Sequence, residues 1–162
     1  MSVTIVNLEK ARGLTMKVRI KKLHENAVLP KFGKVGDAGA DLTATSYEYV
    51  NGRHCYGTGL ALEIPEGHVG LIFPRSSICN KDLRLSNCVG VIDENFRGEV
   101  KFFFEDKGMN AMNPSQPNTN IYKIGDRIGQ LIIMPYPKPE YIEADELSET
   151  NRGSQGFGSS GS

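Results

Sequence analysis

Gly90-Val91-Ile92-Asp93-Glu94-Asn95-Phe96-Arg97-Gly98-Glu99-Val100 reads as two short extended arms about a tight turn. Cys88, Val89, Val91 and Ile92 lead in, Asp93 to Asn95 turn, and Gly98 opens the exit into Val100 and Phe102. Asp93 stands where an apolar strand meets a polar turn. A carboxylate there is rigidly aimed and still wet, which suits a general base that takes a proton from water. The alternative is an acid that caps the turn through its own side chain.

Working outward, 162 residues suit a single domain. The formal net charge is zero. A general nucleic-acid or membrane binder gains from a basic excess, so neither partner is expected. Lys10 to Lys34 is mostly basic and Glu140 to Glu149 mostly acidic, a pattern read as solvated surface. The 18 glycines, with few helical periods, predict many turns and an all-β chain. Cys55, Cys79 and Cys88 are odd in number and form no Cys-x-x-Cys set. They are read as reduced thiols in a cytosolic or virus-like intracellular setting. His54 and Cys55 are neighbours in a predicted strand and so point to opposite faces, which favours a structural or surface role over a metal site. The apolar runs fall far short of the roughly 18 residues of a membrane span, and no signal peptide is expected.

Met1 to Leu14 is weakly patterned, whereas Met16 to Leu23 alternates like a first strand. In Lys34 to Ala44 the small residues let the backbone pass close to a neighbouring strand or a ligand. Asp41, at the start of a strand, is either a satisfied structural acceptor or a group near a cation. Tyr47–Val50 and Tyr56–Ile64 flank Asn51-Gly52, a reversal signal. His68 to Phe73 is a further strand, stopped by Pro74-Arg75-Ser76-Ser77. Ser76 or Ser77 is read as the cap of a short helix, which together with Arg75 would cradle an anion, or else as an ordinary cap beside a surface arginine. Val100 to Phe104 is β-like, Lys107 to Asn120 a long hairpin loop, and Ile121 to Ile124 a resumed strand. Gly125-Asp126 turns, and Ile128 to Met134 is expected to be the most buried strand. Gln130 inside that apolar run needs a partner or a ligand. Tyr136 to Glu149, with its prolines and acids, is read as an irregular wrap.

Gly156-Phe157-Gly158-Ser159-Ser160-Gly161 fits a dinucleotide fingerprint literally, but no helix or βαβ unit is expected to follow it. A mobile tail is the default for that composition. The same composition makes a usable lid, with Phe157 free to stack on a base and Arg152 to hold phosphates.

Five pieces in fixed order resemble the trimeric deoxyuridine triphosphatase (dUTPase) family: Ala38 to Leu42, Pro74 to Ser77, Gly90 to Val100, Gly125 to Leu131 and Arg152 to Gly161. The resemblance implies a distorted jelly-roll or β-clip subunit. It also implies a homotrimer with shared active sites, each closed by a mobile C-terminal arm. The division it suggests is a possible extension at 1–15, a β domain at 16–149 and the arm at 150–162. The implied reaction is hydrolysis of dUTP to dUMP and pyrophosphate with Mg2+ on the triphosphate. It would limit uracil in DNA and supply dUMP for dTMP synthesis, in the cytoplasm, or in the host cytoplasm if the source is viral.

By the same resemblance Asp93 activates the attacking water. Asn87, Gly90, Val91 and Ile92 read uracil, largely through backbone groups. Phe96 packs under the deoxyribose and Lys101 lines the substrate. Arg75, Ser76, Ser77 and Gln130 contact phosphates, Asp41 meets the hydrated metal through water, and Arg152 and Phe157 form the clamp and ring of the arm. Two positions depart from the family: Phe96 stands where Tyr is common, and Gly129 where Ala is frequent. The rival readings are a dCTP deaminase-related or bifunctional enzyme and a regulatory protein-binding module on the same fold.

Overall fold

The computed structural model describes residues 16–107, 120–154 and 156. Its elements are almost all strands: β1 (Arg19–Lys22), β2 (Ala40–Thr43), β3 (Ser46–Val50), β4 (Arg53–Glu63), β5 (His68–Pro74), β6 (Leu83–Leu85), β7 (Gly90–Ile92), β8 (Glu99–Asp106) and β9 (Arg127–Pro135). One 3-10 helix, Ser76–Asn80, separates β5 from β6. All pairings are antiparallel. One sheet runs β1-β4-β8-β6 with β3 also on β4, and the other runs β2-β9-β5-β7. The two-sheet, all-β body matches the expected fold class.

Local chemistry sets most boundaries. Asn51 and Gly52 both take positive φ, 52° and 76°, which is the turn that lets β3 double back on β4 in register Tyr49↔His54. Along β8, Val100, Phe102 and Phe104 are buried while Lys101 and Phe103 face out. Those buried side chains meet Leu42, Ile72, Ile92, Ile128 and Leu131 from the other sheet in one core. Tyr56, fully buried, donates its hydroxyl to the Tyr122 carbonyl at 2.9 Å, which satisfies a polar group the core would otherwise strand.

Several expectations need correction. The two arms around Asp93 do not pair with each other: β7 joins β5 in one sheet, and β8 joins β4 and β6 in the other. The Asp93 turn is therefore a crossing between sheets. The most buried strand is β4, flanked by β1, β3 and β8, whereas β9 buries only Ile128, Gly129 and Leu131 fully. Ile121 to Ile124 forms no strand; Gly125, at φ 92°, turns the chain there and its N–H donates to the Ala44 carbonyl at 2.8 Å. Tyr136 to Glu149 has no regular element, as expected; its residues are exposed from Pro137 onward, with Lys138 bonded to Glu94 of the body at 2.6 Å. Most of the loop expected at Lys107 to Asn120 lies outside the described residues. The cysteines are free, with Cys55 buried. His54 is structural: buried, it lies 3.0 Å from the Tyr47 hydroxyl through Nδ1 and 3.1 Å from Asp106 through Nε2.

Candidate active site

Two clefts collect the candidate residues. The first holds about 340 Å3 and is lined by Ile72, Asn87, Gly90, Val91, Ile92, Asp93, Phe96, Glu99, Val100, Lys101 and Phe103. Pairing with β5 in the register Ile72↔Gly90 fixes one wall. Gly90 is required there, since a Cβ would run into the Ile72 side chain. Phe96 lies folded back so that its ring would stand 2.6 Å from a Cβ on Gly98, which makes Gly98 part of the ring's seat. Lys101 is placed by Glu99: one Glu99 oxygen accepts the Gly59 N–H at 2.7 Å and the other lies 3.6 Å from Lys101 Nζ.

Asp93 is exposed at the end of β7. The turn after it is closed by the backbone, the Phe96 N–H donating to the Asp93 carbonyl at 3.1 Å. Its carboxylate has no hydrogen bond or ion pair among the described residues, so the capping alternative does not hold.

The second cleft, about 610 Å3, is lined by Gly33, Lys34, Asp37, Ala38, Gly39, Asp41, Arg75, Ser76, Arg127, Gln130 and Ile132. β2 and β9 place Asp41 opposite Gln130, and β9 and β5 place Gln130 opposite Phe73. Asp41 accepts Arg75 Nε at 2.7 Å and Arg127 Nη1 at 2.9 Å, one on each oxygen, with Arg75 Nη2 at 3.4 Å. Arg75 Nη1 reaches Ser77 Oγ at 3.4 Å. Among the described residues Gln130 Nε2 donates a single long bond, to the Pro74 carbonyl at 3.4 Å, and a side chain on Gly39 would meet its Oε1 at 2.6 Å. The close passage expected of the small residues is thus made with Gln130. The helix after Arg75 is one 3-10 turn with Arg75 at its N-cap and no side-chain cap. The serine cap and helix-end cradle are therefore corrected to a cradle of side chains.

The dUTPase family model matches residues 25–161. The chain belongs to the dUTPase family. A deoxyuridine 5'-triphosphate nucleotidohydrolase of Corynebacterium efficiens is 39% identical over 147 residues, 89% of this chain and 77% of that one. Its counterpart in Hydrogenobaculum sp. is 39% identical over 150 residues, 90% and 99% of the two chains. The solved dUTPase of Staphylococcus bacteriophage 80alpha with dUPNHPP superposes with a TM-score of 0.74 at 27% identity, covering 91% of this chain and 100% of that one.

Within this dUTPase-family chain the expected site residues fall into two groups. Asn87, Gly90, Val91, Ile92, Asp93, Phe96 and Lys101 share the first cleft; Asp41, Arg75, Ser76 and Gln130 share the second, with Ser77 beside Arg75. Arg152 lies in an exposed turn over residues 151–154, and Phe157 lies outside the described residues. The sequence reading missed Arg127, Lys34, Glu99 and Phe103. Only Arg127 carried a signal, as a cation opening the strand that holds Gln130.

The second cleft offers hard oxygen donors, but both Asp41 oxygens are taken by guanidinium groups. Among the described residues no three His, Cys, Asp or Glu side chains converge on a metal position. These residues fit a magnesium ion carried on substrate phosphates and met through water, in keeping with that ion's reluctance to shed its hydration.

Proposed function

We propose that the chain hydrolyses dUTP to dUMP and pyrophosphate, with Asp93 taking the proton of the attacking water. The observation that carries this reading is the Asp93 carboxylate, exposed and unpaired among the described residues on the lining of a cleft sized for a nucleoside. A base must bring an oxygen lone pair within about 2.6–3.2 Å of the proton it takes. A carboxylate spent on its own turn has no such lone pair aimed at solvent.

Phosphoryl transfer depends mainly on positioning and charge neutralisation. In this reading uracil lies against Asn87, Gly90, Val91 and Ile92, whose backbone groups meet its polar edge. Cytosine reverses the donors and acceptors of that edge and would leave backbone groups unpaired. Phe96 packs under the deoxyribose, where a 2′-hydroxyl has no room, and Lys101 lines the substrate. Arg75, Ser76, Ser77, Gln130 and Arg127 hold the phosphates. Arg152 and Phe157 belong to the arm, residues 150–162, that closes over the bound nucleotide; residues 16–149 are the β domain and 1–15 an extension. Mg2+ on the triphosphate would supply charge neutralisation, and Asp41, whose Oδ1 takes one guanidinium bond among the described residues and keeps a second lone pair, would meet its hydration shell.

The separation of nucleoside and phosphate residues into two clefts supports a homotrimer with shared sites, one subunit giving Asp93 and a neighbour giving Arg75. The three free cysteines suit a reducing compartment such as the cytoplasm. There the reaction would keep uracil out of DNA and supply dUMP.

Pyrophosphate release with Mg2+ from dUTP, dTTP, dCTP and UTP, with ammonia release from dCTP alongside, tests the reading. Pyrophosphate from dUTP alone is the expected result. Ammonia from dCTP would indicate a deaminase-related enzyme, and strong UTP cleavage would show that Phe96, lacking the tyrosine hydroxyl, does not exclude ribose. The second reading is a regulator, favoured by the likeness to the 80alpha enzyme, one of the phage dUTPases that control transfer of virulence genes. A folded oligomer that cleaves nothing would support it.

A further inference from the structure

The turn that bears Asp93 is fastened internally by the Phe96 N–H and by Arg97, whose Nη1 donates to the Glu94 carbonyl at 2.7 Å and the Phe96 carbonyl at 2.8 Å. Those bonds set the shape of the turn, β7 and β8 fix its two ends, and its middle is left to a second restraint. The Glu94 side chain supplies that second restraint. Its Oε2 accepts the Gly67 N–H at 2.7 Å and its Oε1 accepts Lys138 Nζ at 2.6 Å. Gly67 lies in the turn that leads into β5, the partner of β7. Its carbonyl in turn accepts the Tyr136 N–H at 3.1 Å, and Lys138 Nζ stands 5.8 Å from the Tyr136 ring centroid. Three separate segments therefore meet at Glu94: the Asp93 turn, the Gly67 turn and the start of the C-terminal segment. The ion pair also holds the Glu94 carboxyl below its usual pKa, through Lys138 first and then the Gly67 N–H, and raises that of Lys138.

We propose that Glu94 is a positioning residue for the reaction, setting where Asp93 stands through Gly67 and linking that turn through Lys138 to the segment that leads into the arm. The proposal rests on the reading of Asp93 as the base. Among the described residues Asp93 has no side-chain bond to aim it, so its backbone must, and a misplacement of about 1 Å in a reacting group can cost up to roughly a hundredfold in rate. Glu94 does not line the nucleoside cleft, so its effect on substrate binding is small.

Three variants of the full chain separate the links. Glu94→Ala removes both bonds, Glu94→Gln keeps an acceptor for the Gly67 N–H, and Lys138→Met removes the ion pair alone. For Glu94→Ala, kcat is expected to fall about tenfold while KM for dUTP and Kd for dUMP stay within about twofold. Glu94→Gln should recover most of the loss, and Lys138→Met should lie between it and wild type. An unchanged kcat in Glu94→Ala overturns the proposal. So does a parallel fall in kcat, dUMP binding and Tm, the mark of a merely structural residue. Hydrogen exchange on the nucleotide-free proteins reads the link without turnover. Faster exchange at Gly67 and Phe96 in Glu94→Ala is expected, and unchanged exchange overturns the link. If wild type releases no pyrophosphate while exchange still responds, the Asp93 reading fails and takes the catalytic role of Glu94 with it, leaving the physical link intact.

Discussion

Asp41 lies on β2 and Asp93 just past the end of β7, strands of one sheet, yet the surroundings of the two acids are opposite. Asp41, with its side chain 12% exposed, is held between Arg75 and Arg127, while Asp93 is exposed and unpaired among the described residues. Asp41→Asn should therefore cost about 1–3 kcal/mol, because two guanidinium groups lose a charged acceptor in a partly buried place. Asp93→Asn should leave Tm unchanged. Thermal melting of both variants checks the contrast; equal losses would mean that Asp93 has a structural duty. In the sequence Asp93 could be either a turn cap or a base, since turn acids are common, and it stood out only through the motif around it. Arg127 was harder to see: its bond to Asp41 joins residues 86 apart, and only the β2–β9 register brings them together. Gln130 was legible as a polar residue in an apolar run, though not the fact that Gly39 makes room for it.

At the scale of elements, alternation and turn chemistry located most strands. Asn51-Gly52 fixed one hairpin outright, and the alternation of Val100 to Phe104 marked the buried face of β8. Pairing partners could not be read this way, since local pattern says which face is apolar and not which strand lies alongside. That is why the Asp93 turn looked like a hairpin when it is a crossing between sheets. Gly129 shows the same limit. A methyl there would strike the Phe102 ring of the facing sheet and come within 2.9 Å of the Phe73 carbonyl. The Ala that the resemblance leads one to expect at this position would thus be crowded by this chain's own Phe102. Gly129→Ala should destabilise by about 1–3 kcal/mol through overpacking, and a chemical melt that finds it neutral would show that the ring can move aside. On the outer face, Arg84 and then Arg53 hold the Glu105 carboxyl below its usual range. A depressed folded pKa gives stability that is present above the unfolded value, about 4.3, and lost as pH falls through the lower folded one. Glu105→Gln should therefore flatten the fall of Tm on acidification below that pH, whereas an unaltered acid limb would show that the pair contributes nothing.

For the whole molecule, the division of the candidate residues between two clefts decides what one chain can do alone. If sites are shared, Asp93→Asn and Arg75→Ala subunits should each be inactive in pure form and regain part of the activity when unfolded together and refolded as mixed trimers. No recovery would place both clefts of a site in one chain. Family and fold were legible because five short motifs stand in order; the sharing of sites came only with the resemblance, because which residues fall in which cleft follows from sheet geometry. The most direct test of the account compares wild type with Asp93→Asn for pyrophosphate release from dUTP and for binding of a non-hydrolysable dUTP analogue. The account predicts that turnover falls about a hundred- to ten-thousand-fold while the analogue binds with nearly unchanged affinity, since the acid accepts a proton and does not anchor the nucleotide. Retained turnover, or lost binding in a variant with unchanged Tm, would contradict it.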